Sequence, residues 1–175
     1  MCNQCQINSV YEFTNKRKIC KTCFVRWFEK KFLYTIRRFN LIKKRDIIYY
    51  KKTKNFRDVV LENLLKMYSQ KGTIKLVKFP SRKSKFASSS TADIEAKKIV
   101  ETIIKKNILN LNKKESIKPL ILFLDKEVLL YAKLKNLKFT EEKKKIDKIS
   151  EFIDGLEKKH PEIKPAIVQT ILKIT

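Results

Sequence analysis

The chain has 175 residues, 43% of them hydrophobic, which suits one globular domain with a small appendage and argues against wholesale disorder. Its 42 Lys and Arg against 18 Asp and Glu leave a formal charge of +24, so RNA, DNA or an acidic membrane surface is the expected partner. Part of this charge can also reflect an AT-rich genome, because Lys, Ile and Asn are abundant together. No stretch approaches the roughly 18 apolar residues of a membrane span, and the N-terminus has no signal-peptide core. We therefore expect a cytoplasmic protein that does not span a membrane.

All four cysteines of the chain lie in its first 23 residues, as two Cys-x-x-Cys pairs. Cys2, Cys5, Cys20 and Cys23 form the pattern C-x2-C-x14-C-x2-C, in which each pair is a turn whose sulfurs can reach one ion. Because cytoplasmic thiols stay reduced, the pattern indicates a metal rather than disulfides. We predict structural zinc in a closed shell of four thiolates; an iron–sulfur cluster or redox-active thiols are the alternatives.

Apolar residues recur at steps of three and four after the last cysteine, at Phe24, Phe28, Phe32, Ile36 and Phe39. This spacing predicts an amphipathic helix whose other face is cationic. We predict that this face and the loop between the cysteine pairs contact RNA, mainly through phosphates; merely solvated charge is the alternative. The nine candidate cations are Lys16, Arg17, Lys18, Lys21, Arg26, Lys30, Lys31, Arg37 and Arg38.

Short apolar runs predict the strands that follow. DIIYY (46–50) and PLILF (119–123) are typical of buried strands, and TIKLVKF (73–79) alternates with period two before Pro80. The polar stretch SRKSKFASSST (81–91) indicates a loop or a short strand.

Helices are predicted between and after these strands. Residues 57–70 carry an apolar face and stop before Gly72. Residues 91–106 follow Ser90 and Asp93, which have the spacing of a capping box, and a further helix over 125–135 begins with Asp125 as its cap. Two more helices, over 140–159 and 164–173, are separated by a break at Pro161 and Pro165. Strands that alternate with helices indicate an α/β fold with a small parallel sheet.

The segment ICKTCFVRWFEKKFLYTIRRFNLIKKRDIIYY, which ends at residue 50, resembles the opening of the archaeal and eukaryotic tRNA 2-thiolation family. Members of that family are PP-loop pyrophosphatases that sulfurate tRNA uridines, and they begin with a two-knuckle zinc ribbon and a basic helix of the type C-F-x-R-x-F-E-K. The similarity resumes in order at FASSSTADIEAKKIVETIIKKN (86–107), IKPLILFLDKEVLLYAKLKNLKF (117–139) and FIDGLEKKHPEIKPAIVQTILKI (152–174).

The resemblance implies an adenine nucleotide alpha-hydrolase-like sheet and three parts. These are a zinc ribbon with the basic helix (1–42), a degenerate PP-loop-like α/β domain (43–139) and a C-terminal helical pair (140–175).

The family's ATP site does not match. Its S-G-G-x-D-S loop is replaced by KKTKNFRD (51–58), which has no glycine and no serine to cradle a pyrophosphate. The family's paired catalytic cysteines and second zinc ribbon have no counterpart, since no cysteine follows Cys23. The residues of a degenerate nucleotide site would be Lys51, Lys52, Lys54, Arg57, Asp93 and Glu95. Asp93 and Glu95 also suit plain capping of a helix start, which we favour.

These features together predict a non-catalytic, tRNA-binding paralogue or accessory subunit of a tRNA uridine 2-thiolation enzyme. Its partners would be tRNA and an active PP-loop thiolation enzyme. One alternative is a ribosome-associated structural zinc protein, which high charge and a zinc ribbon also suit. A further alternative is a cryptic nucleotide-binding enzyme of the PP-loop superfamily.

Overall fold

The computed structural model describes residues 1–72, 74–105, 116–140 and 147–174. The chain begins with a hairpin in which β1 (Tyr11–Glu12) pairs antiparallel with β2 (Lys18–Ile19). Helix α1 (Lys21–Arg38) follows at once, as the apolar spacing predicts. Phe24 and Phe28 on its inner face are fully buried.

The sheet of the domain is parallel and has β3 (Ile47–Tyr50) at its centre. β4 (Lys75–Val77) and β5 (Ser84–Ala87) flank it, one on each side. Helix α2 (Phe56–Ser69) connects β3 to β4 and is followed by Gly72, whose φ of +66° is the left-handed conformation that glycine adopts without strain. The predicted strands over 46–50 and 73–79 are confirmed over 47–50 and 75–77, and 81–91 contains a short strand.

The predicted strand over 119–123 is wrong. Ile117 makes one parallel bridge to Ala87, and the chain then enters two consecutive turns. Its apolar run is buried because it lies between two hydrophobic cores rather than in the sheet: Leu120 and Phe123 belong to the first core. The second core takes Ile121, Leu122 and Leu124. An apolar run therefore signalled burial here, not extended structure.

Four helices complete the described fold: α3 (Ala92–Ile104), α4 (Asp125–Leu134), α5 (Lys148–Lys159) and α6 (Ile163–Ile174). The first part of the predicted helix over 140–159 falls on residues 141–146, which lie outside the described residues. Within the described ranges the fold is α/β, with six helices and a three-stranded parallel sheet, as the sequence predicts. No helix among these residues is long and apolar enough to cross a membrane.

The first core joins the cysteine-containing N-terminus to the sheet. Buried residues from the hairpin, α1, β3, α2 and α4 belong to this one cluster, and it includes Cys2 and Cys20. The second core lies between α3, residues 121–124 and α6, where Val168 is buried. The N-terminal ribbon is thus continuous with the domain's packing, so loosening it would expose apolar surface of the domain.

Candidate metal centre and nucleic-acid interface

The four cysteine sulfurs converge at one point. Cys2, Cys5, Cys20 and Cys23 have Sγ atoms that all lie within 4.8 Å of one another. The Cys5 Sγ atom is 3.3 Å from that of Cys20 and 3.9 Å from that of Cys23. Four sulfurs around a single tetrahedral ion with bonds near 2.3 Å stand about 3.8 Å apart. The arrangement can therefore hold one metal ion, and no thiol of the chain is left over.

The backbone on both sides of the centre fixes the sulfurs. In the first knuckle, the Cys2 N–H donates to the Ile7 carbonyl at 2.7 Å, and the Gln6 N–H donates to the Cys2 carbonyl at 3.0 Å. In the second knuckle, Cys20 is the residue that precedes the first turn of α1, and Cys23 lies in that turn. The positive end of the helix dipole favours thiolates there.

The thiols differ in how readily they ionise. Burial opposes ionisation of Cys2, but hydrogen bonds from backbone amides, first of all that of Gln4, lower its pKa to about 6. Burial, together with the neighbouring thiols Cys20 and Cys5, raises the pKa of Cys23 to about 12. Four thiolates this close repel one another unless a cation lies between them, which is the condition that a metal ion satisfies.

Eight of the nine predicted RNA-contact cations are exposed, and the ninth, Lys31, is half-buried. Lys31 Nζ lies 2.9 Å from Glu127 Oε2 and over the rings of Trp27 and Phe123. Glu127 also accepts from the Tyr11 hydroxyl at 3.3 Å. Glu127 of α4 therefore contacts α1 through Lys31 and the ribbon through Tyr11. The same carboxylate neutralises the charge of Lys31 inside the protein.

Three of the exposed cations form a stripe along α1. Arg26, Lys30 and Arg37 recur at i, i+4 and i+11, so they share one helix face, opposite the buried phenylalanines. We call these three residues the cationic stripe. Among the remaining cations, Arg17 lies over the Phe13 ring at 4.6 Å, and Lys18 is 3.5 Å from Glu12. Lys16 and Lys21 are exposed, and Arg38 lies over the Tyr34 ring.

The three lysines of the predicted nucleotide site are exposed to solvent. Lys51, Lys52 and Lys54 are all exposed in the β3–α2 junction (51–58). The side chain of Lys52 is 77% exposed and has only a 3.8 Å contact with Glu62.

Arg57, in contrast, is held in the protein. Its guanidinium donates from Nε and Nη2 to both carboxylate oxygens of Asp125, at 2.8 and 2.5 Å. The Thr91 hydroxyl donates to the same carboxylate at 2.7 Å. A two-point Arg–carboxylate pair of this kind is both directional and strong. It fastens the start of α2 to the start of α4.

A second carboxylate, Asp58, occupies the start of α2. It accepts from the Thr53 and Ser89 hydroxyls, each at 2.5 Å. Asn55 caps the helix by accepting from the Arg57 N–H at 2.8 Å. Helix N-termini at the carboxyl ends of parallel strands attract anions. Near the ends of β3 and β5, two carboxylates of the protein itself, Asp58 and Asp125, already lie at such helix starts.

The predicted capping box at α3 is wrong. Ser90 and Asp93 do not cap this helix; the Ser90 hydroxyl donates to Glu95 at 2.5 Å, and Glu95 is also paired with Lys118 at 2.9 Å. Asp93 accepts instead from the Asp125 backbone N–H at 2.7 Å. The prediction that Asp125 caps α4 is also wrong by one position. Leu124 is the cap residue, and Asp125 is the first residue of the helix. Asp93 and Glu95 thus have partners that are more than 20 positions away, at Asp125 and Lys118, and local spacing in the sequence does not reveal such pairs.

Sequence reasoning missed Lys164, the most enclosed cation of this region. Its side chain is 5% exposed, and its Nζ lies 2.7 Å from Asp93, 2.8 Å from Asp154 and 2.5 Å from Glu157. Burial alone would lower the pKa of Lys164, but the three carboxylates raise it above its ordinary value. Lys164 therefore stays charged and ties α6 to α3 and α5.

A cysteine-rich ribbon followed by a helix and a small parallel sheet defines an α/β protein with four cysteines positioned to bind a metal ion. No protein-family model and no curated protein match the sequence. The structure is similar to that of the U34-tRNA thiolase NcsA from Methanococcus maripaludis with its [4Fe-4S] cluster, with a TM-score of 0.80 at 18% identity. The alignment covers 99% of this chain and 86% of that chain. The chain therefore has the fold of a tRNA thiolase, as the resemblance of its motifs predicts.

Proposed function

We propose that this protein binds tRNA without catalysing its thiolation, as a shortened paralogue or accessory subunit of a tRNA uridine 2-thiolation enzyme. The observation that carries the proposal is the combination of a cationic helix placed directly after four clustered cysteines with a β3–α2 junction whose Arg57 and Asp58 have partners within the protein. The similarity to a tRNA thiolase supports tRNA as the ligand, and the active enzyme is the partner we expect.

The cationic stripe supports RNA binding through its geometry. Arg26, Lys30 and Arg37 project from a helix that the metal centre and the first core hold in place. Cations fixed on a rigid helix lose little entropy when they contact phosphates, unlike cations on a disordered tail. They would follow the tRNA backbone and recognise its shape rather than its sequence.

The β3–α2 junction supports the loss of catalysis. An ATP pyrophosphate bound there would face Asp58 and Asp125, both of which already accept hydrogen bonds within the protein. Arg57 is committed to Asp125 and would have to leave it to bind a phosphate. Breaking such a partly buried pair leaves a carboxylate without its charge partner, so the arrangement opposes nucleotide binding.

We assign the metal centre to structural zinc. The Sγ separations suit one tetrahedral ion. A [4Fe-4S] cluster places a separate iron behind each thiolate, so its four ligands stand farther apart than those of a single ion. When bound, zinc would neutralise the thiolates and hold Cys20 and Cys23 at the start of α1; a closed set of four thiolates leaves no position for a substrate.

Reversing the charge of the cationic stripe is expected to weaken tRNA binding. The variant R26E/K30E/R37E should bind a tRNA transcript at least about tenfold more weakly, and the slope of log K against log salt concentration should fall by about two. Fluorescence anisotropy with labelled tRNA at several salt concentrations measures both quantities. Helix α1 should still form, since all three side chains are exposed.

The matched control is K148E/K158E/K159E on α5, which reverses the same number of exposed charges. If tRNA binding is governed by overall charge alone, both variants will weaken it equally, and the proposal that α1 binds tRNA fails. If wild-type protein prefers ribosomal particles to tRNA at equal RNA concentration, the alternative role on the ribosome replaces the proposal.

A further inference from the structure

One face of the parallel sheet lies outside both hydrophobic cores. Residues paired across neighbouring strands point to the same face, so Tyr49, Val77 and Phe86 form one row across the three strands. Among the described residues, none of these three packs against either core, and all are half-buried. The Tyr49 and Phe86 rings contact each other, with centroids 5.3 Å apart. We call this side of the sheet the outer face.

The six residues 78–83, which we call the crossover loop, run over the outer face. They connect β4 to β5, two strands on opposite sides of β3 that are both parallel to it. The connection must therefore cross β3, and the core face is already filled by the buried leucines of α2. Parallel sheets usually carry a helix at such a crossing.

The crossover loop presents an exposed aromatic ring among cations. Phe79 is 79% exposed, and Lys78, Arg82 and Lys83 around it are exposed too. Lys75, on the outer face beside β3, is a fourth exposed cation. Among the described residues, none of these four cations has a carboxylate partner within 4.0 Å. The sequence contains no Asp or Glu from residue 63 to residue 92.

We infer that the crossover loop binds single-stranded RNA, with a base stacked on Phe79 and phosphates held by Lys75, Lys78, Arg82 and Lys83. An exposed ring with several cations and no acid is the combination that binds single strands, because every base offers a face for stacking and every linkage a negative charge. This inference rests on the proposed function in taking RNA as the ligand. It adds a contact on the sheet, separate from the metal-pinned helix α1.

Charge favours RNA over a protein at this surface. A protein docked on Phe79 would have to desolvate or neutralise the surrounding cations, since the loop offers no acid to pair with a partner's own cations. Single-stranded RNA matches this surface, because its phosphates can bind the cations and its bases can stack on the exposed ring.

The test uses the full-length, metal-loaded protein and a fluorescein-labelled oligouridylate of about ten nucleotides, within the range that such surfaces cover. F79A should weaken oligouridylate binding about tenfold, whereas F79Y, which keeps a ring, should bind as the wild type does. F152A is the matched control, because Phe152 is another exposed phenylalanine, 60% exposed, on α5. F152A should leave the affinity unchanged.

Equal binding by F79A and the wild type would overturn the inference. So would equal weakening by F79A and F152A, or a change of particle mass in light scattering that depends on Phe79, which would assign the loop to a protein or to a second copy. The proposed function is judged separately by the tRNA affinity of R26E/K30E/R37E. That result is independent of the crossover loop, so the two ideas can fail one at a time.

Discussion

Replacing Cys20 with serine is expected to release the metal and unfold the ribbon together with the start of α1. Cys20 is buried in the first core, and its sulfur lies 3.3 Å from that of Cys5. Because structural zinc sites bind with about 10–16 kcal/mol of apparent free energy, the melting temperature should fall by more than about 10 °C. The zinc-to-protein ratio, measured by mass spectrometry of the metal, should fall from one towards zero.

The single tryptophan gives a local readout of the same event. Trp27 packs against Phe13 and Phe24, with ring centroids 4.8 and 5.5 Å apart, so its emission reports on the ribbon. A chelator should shift this emission to the red in the wild type. I7S is the control, because Ile7 is an exposed residue of the first knuckle and this variant also introduces a serine into the ribbon. An iron–sulfur absorption band in anaerobically purified protein, with no zinc, would contradict the assignment of zinc.

Replacing Lys164 with methionine is expected to destabilise the protein by about 3–5 kcal/mol, which is the usual cost of removing one member of a buried ion pair. The substitution keeps an unbranched side chain that is one atom shorter, but it leaves Asp93, Asp154 and Glu157 as neighbouring carboxylates without their shared cation. Urea denaturation followed by circular dichroism measures the loss. K158M, which changes an exposed lysine of α5 in the same way, should cost less than about 0.5 kcal/mol.

The pH dependence of this cluster follows from its pKa shifts. Burial opposes ionisation of Glu157, but Lys164 lowers its pKa below the ordinary value, so its stabilisation is present above about pH 4.3 and is lost as acid protonates the folded state. The pKa of Lys164 is raised, so its contribution is present below about pH 10.4 and is lost at higher pH. K164M should therefore lose less stability than the wild type at both extremes. An unchanged pH profile in K164M would show that the cluster does not stabilise the fold.

Features with a local cause were predicted well from the sequence. The period of the phenylalanines in α1 and the paired cysteines depend on neighbours in the chain, and the structure places both as expected. Gly72 likewise follows α2 in the left-handed conformation that its position suggests. Each of these features needs only the geometry of a turn or helix, which short spacings encode.

Features that depend on distant partners were missed. Arg57 and Asp125 are 68 positions apart, and nothing in either neighbourhood indicates their pairing. The apolar run 119–123 predicts a strand that the structure does not contain, because burial between two cores and burial in a sheet select the same residue types. Lys164 was overlooked for the opposite reason: in a chain with 42 basic residues, one more lysine gives no signal.

The measurement that tests the central claim most directly is one nitrocellulose filter-binding assay of zinc-loaded protein with labelled tRNA and labelled Mg–ATP, each quantified on the same filter. We predict that tRNA is retained with the protein, while ATP passes through the filter and yields neither AMP nor pyrophosphate, because Asp58, Arg57 and Asp125 already have partners within the protein. Retention of one ATP per protein, or its cleavage to AMP and pyrophosphate in the presence of tRNA, would contradict the account and establish an enzyme.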